Sequence, residues 1–127
     1  MKRSISSLAA VLALAAIVAI PAYAAAPTAT KTVVETANGV TTLLIKISSD
    51  QAVYGINVST AANSIKDIYV PEGWVGIASD SEILFRTDTK PIRGGSSATF
   101  RVMTANEDAS MSLIYRNQEK KIGEGSL

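Results

Sequence analysis

The side chains that most often carry chemistry are missing from these 127 residues: the chain has no histidine and no cysteine. Ser-His-Asp and Cys-His nucleophile pairs, imidazole proton shuttles, thiolate metal sites and disulfides are therefore excluded. What remains is oxygen chemistry. Glu72, Asp80, Glu82 and Asp88 fall in turn-like stretches or at the ends of strand-like ones. Paired-carboxylate catalysis would need two acids brought together, one with a raised pKa, and solvated turn acids are the simpler account. The sequence thus reads as that of a non-enzyme. Calcium is the one metal whose donors are on offer, because it takes hard oxygen ligands from loops. Asp80, Glu82 and Asp88 are its candidate ligands, with the "NED" of Asn106 to Asp108 beside them, in no EF-hand spacing. No other cofactor is expected: Gly94-Gly95 precedes no helix and makes no phosphate cradle.

Aromatic rings could bind a sugar by stacking on its apolar face. Trp74, the only tryptophan, sits in a Pro-Glu-Gly-Trp turn, and Tyr69 lies in the continuous apolar run "IYV". These two are the candidate ligand-binding residues. For Trp74 the competing reading is a plug closing the end of a sandwich, since an indole buries so much area. Tyr54 and Tyr115 lie on apolar alternating faces and are expected in the core. Asn57-Val58-Ser59 is an N-glycosylation sequon, with Asn57 on the face opposite Tyr54 and Ile56.

The elements that would position these residues are strands. "KTVVETA" and "VTTLLIKISS" flank Asn38-Gly39, which supplies the two positive-φ positions of a type I′ hairpin turn. In the second run Leu43, Ile45 and Ile47 share one face. In "QAVYGINVST", Ala52, Tyr54, Ile56 and Val58 face one way and Val53, Gly55, Asn57 and Ser59 the other. "IKDIYV" is stopped by "PEGW", because proline cannot donate to a ladder. "VGIA", "EILFRT", "ATFRVMT" and "SMSLIYRN" follow, with Ile83, Phe85, Ala98, Phe100, Val102, Met111, Leu113 and Tyr115 at core spacing, and the tail offers one more edge strand before fraying. Seven or eight short strands with turns between them predict an all-β antiparallel β-sandwich, immunoglobulin-like or jelly-roll, preceded by an N-terminal signal-peptide helix. Leu44, Val53, Leu84, Met103 and Ile114 are left on its nominally outer side.

That leader is "MKRSISSLAAVLALAAIVAIPAYA": a basic start, an apolar run, Pro21, and an Ala-x-Ala site with cleavage after Ala24. The expected division is signal peptide 1–24, flexible arm 25–30, and one sandwich domain 31–127. Export to the medium or cell surface follows; the alternative is anchoring by an uncleaved N-terminal helix. Cleavage leaves ten basic and eleven acidic residues, a net charge of −1, with no electrostatic reason to bind nucleic acid.

"AVYGINVST", "IKDIYVPEGW", "EILFRTDTKPIRGGSSATFRVMT" and "MSLIYRN", taken in that order across Gln51 to Arg116, resemble the cohesin-like and carbohydrate-binding-module-like extracellular β-sandwiches. The resemblance implies a domain that binds proteins or polysaccharides at the cell surface. The functional expectation is an exported, non-catalytic structural, adhesion or protein-interaction module; the alternative is a carbohydrate-binding module using Trp74 and nearby tyrosines. Expected partners are an envelope protein or polysaccharide, or a second copy joined by strand addition, with "AAPTATKTVVETA" pairing to a neighbour's open edge. Contact with the membrane is expected only through an uncleaved leader.

Overall fold

A computed structural model describes residues 26–105, 109–118 and 120–127. The signal segment, its cleavage site and the Asn106–Asp108 donors lie outside the described residues. Among the described residues nine antiparallel strands form two sheets: β1 (Thr28–Ala37), β2 (Val40–Ser49), β3 (Gly55–Ser59), β4 (Ile65–Tyr69), β5 (Trp74–Ala78), β6 (Glu82–Thr87), β7 (Ser96–Thr104), β8 (Ser112–Asn117) and β9 (Lys120–Ser126). One sheet has the order β1-β2-β7-β4 and the other β5-β6-β3-β8-β9. The expected two-layer antiparallel sandwich is what the chain forms.

Period-two alternation positions the core. Leu43, Ile45 and Ile47 of β2, with Phe100 and Val102 of β7, line the inner face of the four-stranded sheet. Ile56, Val58, Ile83, Phe85, Leu113 and Tyr115 line that of the other. Three rings join the layers: Phe100 stacks on Phe85 at 4.4 Å between centroids and receives the edge of Trp74 at 5.0 Å, both favourable geometries for aromatic pairs. The turn between β1 and β2 has Asn38 at φ 57° and Gly39 at φ 77°, the conformation a type I′ hairpin requires. Gly76 of β5 is needed for a different reason. A Cβ there would stand 2.7 Å from Ile68 Cδ1 and 3.0 Å from Val70 Cγ1, so its bareness lets the other sheet close over β5.

Four sequence expectations are corrected. The arm is not loose: β1 begins at Thr28, inside the segment 25–30, and Pro27 is buried against Gly123. Nor is β1 free to leave, since it pairs with its own β2 from Thr28↔Ser48 to Ala37↔Val40; the strand expected to act as a donor is already used at home. The alternation also resets before β3. Val53 leaves the ladder to exchange hydrogen bonds with Ile92 (2.8 and 3.1 Å) and is fully buried, whereas Tyr54 is only half-buried. The tail does not fray either: Leu127 and Met111 exchange both backbone hydrogen bonds.

Tyr115 is 1 % exposed, and burial raises its phenol pKa above the ordinary value. The unfolded chain would ionise this group near pH ~10, so the fold's preference for the neutral phenol is fully present below that pH. It is lost as pH rises through the folded value. Denaturant midpoints at pH 8 and pH 11 should therefore separate more for the native sequence than for Tyr115→Phe.

Candidate functional site

With the inner faces filled, function is left to the outer faces and the sheet edges. On the four-stranded sheet Tyr69 stands opposite Arg101, whose guanidinium carbon lies 5.2 Å from the ring centroid. This cation–π contact occupies one face of a ring that is 50 % exposed. Trp74 points the other way. It is 7 % exposed and sits edge-on to Phe100 between the sheets, so the sugar-stacking role considered for it is corrected to core packing. The structure does not bring Trp74 and Tyr69 together on one surface.

The candidate calcium donors do not converge either. Glu82 begins β6 and Asp88 follows its end, six residues apart and so about 20 Å at strand rise. Asp80 and Glu82 share the β5–β6 turn, but that turn is held by protein groups. Ser79 Oγ accepts from the Ser81 and Glu82 amides (3.3 and 3.1 Å), and the Asp80 carbonyl accepts from the Ser64 and Ile65 amides (2.9 and 2.8 Å). Among the described residues no group of three acids is placed to hold a metal ion.

The outer face of the five-stranded sheet is more distinctive. Its register sets Val75, Arg86, Gly55, Arg116 and Lys121 in one row and Ile77, Leu84, Asn57, Ile114 and Glu124 in the next. Asn57, the sequon residue, is half-buried at the centre and accepts a hydrogen bond from Arg116 Nε at 3.0 Å. Lys121 pairs with Glu124 and lowers its carboxyl pKa through that hydrogen bond. Two adjoining depressions of about 420 and 430 Å³ share Leu84 and Arg116; the second is walled by Tyr54, Arg86, Asp88 and Gln118.

The edges differ sharply in how they are guarded. β1 turns Lys31 inward, its ammonium donating to the Ala109 carbonyl at 2.9 Å, and has a register break at Val33/Glu35. β4 bears Lys66 and Asp67 with a break beside them. β9 carries Lys120, Lys121 and Glu124, with a break in its ladder to β8. Charges and bulges of this kind keep other strands from adding to an edge. β5, "WVGIA", has neither: it is uncharged and pairs with β6 in unbroken register. Val75 and Ile77 are 60 % and 66 % exposed, the most exposed large apolar side chains among the described residues.

No family model and no curated protein matches the chain. Solved structures do. The chain is similar to ChBD2 from Thermococcus kodakarensis KOD1, with 12 % identity over 76 % of this chain and 94 % of that one, at a TM-score of 0.51. That likeness is one of fold, an antiparallel two-sheet β-sandwich. Two further structures are the chitin-binding domain of a hyperthermophilic chitinase from Pyrococcus furiosus (11 % identity, 77 % and 93 % covered, TM-score 0.47) and a non-cellulosomal cohesin from the hyperthermophilic archaeon Archaeoglobus fulgidus (14 %, 80 % and 89 %, 0.49). At such identities the likeness of this sandwich to them is one of fold.

Proposed function

We propose that the protein is an exported, non-catalytic β-sandwich that works as a cell-surface structural or adhesive module, associating through strand addition at β5. The observation that carries this reading is the contrast between β5 and the other three edges. An uncharged edge with exposed β-branched side chains invites another strand, and backbone hydrogen bonds then supply the affinity. The partner strand is β5 of a second copy, antiparallel and centred on Gly76. That register sets Val75 against Ile77 of the second copy and opposes no charges within the strand, and a two-fold arrangement closes on itself. A cleft of about 480 Å³ lies between β5 and the edge of β4, with Gly76 and Ala78 in its lining. Glu72 and Asp80 flank β5 and would meet across the pair, so salt strengthens the association by screening them. The lack of histidine and cysteine and the exposure of Glu72, Asp80, Glu82 and Asp88 support a role without catalysis. The leader supports export.

Sedimentation tests this reading. Protein recovered from the medium, its first residue Ala25 by intact mass, is expected to form a dimer that grows with concentration and with salt. Ile77→Lys, an exposed substitution that spares the core, should return it to monomer. A protein that stays monomeric throughout, or a dimer indifferent to Ile77→Lys, would mean that β5 is not the contact.

A further inference from the structure

We propose that the depression between Arg86 and Arg116 binds a carboxylate-bearing sugar, as in the uronate units of an acidic polysaccharide. The two arginines project from β6 and β8 on either side of Gly55 in β3, in one register row. Two strand spacings separate their backbones, about 9.6 Å, and the residue between them has no side chain to fill the gap. Gly55 itself is part of the lining of the depression.

Among the described residues neither arginine is held in an ion pair. The guanidinium of Arg86 has neither ion pair nor hydrogen bond among the described residues. Among the described residues Arg116 commits only Nε, to Asn57, a bond that fixes the side chain and leaves both Nη groups without a partner there. A guanidinium matches a carboxylate with two parallel N–H bonds, and an acid placed over Gly55 would relieve the repulsion between the two cations.

The other walls select for more than an anion. Asp88 lines the same depression, as do Tyr54 and the amide-bearing Gln118. A carboxylate wall repels a ligand that is acidic all over and accepts hydrogen bonds from hydroxyls. The half-buried Tyr54 offers ring surface to an apolar sugar face. A ligand with one acid, several hydroxyls and an apolar face is a uronic acid residue; phosphate or a polyacidic peptide lacks the last two.

Calorimetry with oligogalacturonate at low salt tests the site, with its methyl ester and poly-glutamate as comparison probes. Oligogalacturonate should bind, and the ester and poly-glutamate should bind at least tenfold more weakly. Arg86→Gln should weaken oligogalacturonate binding by about tenfold or more, the worth of one charge-assisted hydrogen bond. Arg93→Gln, on the exposed β6–β7 loop, should leave it unchanged. Trp74 emission reports whether each variant keeps its fold. No binding of oligogalacturonate, equal binding of poly-glutamate, or indifference to Arg86→Gln would each overturn the proposal.

Discussion

Phe100→Ala is expected to destabilise the protein by about 3–5 kcal/mol. Phe100 is fully buried at the meeting point of the two sheets, stacked on Phe85 and struck edge-on by Trp74. Removing its ring opens a cavity that neither partner can fill, because each is fixed in a strand of the opposite sheet. Domains of this size have total stabilities of about 5–15 kcal/mol, so the variant sits near the threshold of folding. At roughly 4–8 °C per kcal/mol, its melting temperature should fall by at least about 12 °C. A denaturant titration measures this directly, and a midpoint within error of the native protein's would show that the three rings do not bridge the layers.

Trp74→Ala should cost a similar amount, about 3–5 kcal/mol, and its interpretation separates two roles. An indole serving a sugar would be exposed, and its removal would abolish binding while sparing the fold. At 7 % exposure against Phe100 it is instead a structural ring, and its removal should spoil stability first. Because the chain has one tryptophan, its emission reads the environment of that ring alone. It should be blue-shifted in the native state and move red as the protein unfolds. Native emission at the wavelength of a solvated indole, together with an unchanged unfolding midpoint in Trp74→Ala, would return Trp74 to the surface.

Much of this architecture is legible without coordinates. Leu43, Ile45 and Ile47 declare an inner face by alternation alone, and Asn38-Gly39 declares the hairpin that aligns them, because each signal is local. Where the reading fails, the deciding interaction is distant in sequence. The same alternation points Val53 outward, but its pairing with Ile92, 39 residues on, pulls it into the core and releases Tyr54 to the outer side. Pro27 and Thr28 read as a tether because nothing nearby in sequence holds them; Gly123 and Ser48 do.

The candidate sites show the same division. That "WVGIA" is uncharged can be read directly, but that it lies at an edge depends on sheet order. Gly55, Arg86 and Arg116 are about thirty residues apart in turn, and only the β6-β3-β8 order makes them neighbours. Trp74 and Tyr69 are both aromatics near a turn, which is all that composition and position can say of them. Their five-residue separation spans the crossing from one sheet to the other, which turns one ring inward and leaves the other outside.

Hydrogen exchange measured across a range of protein concentrations tests the β5 contact most directly. Backbone amides of Gly76 and Ala78, which point away from β6, should gain protection as concentration rises, while those at the outer edges of β1, β4 and β9 stay as they are. Protection gained at β1 or β9 instead, or at no edge, would contradict the account.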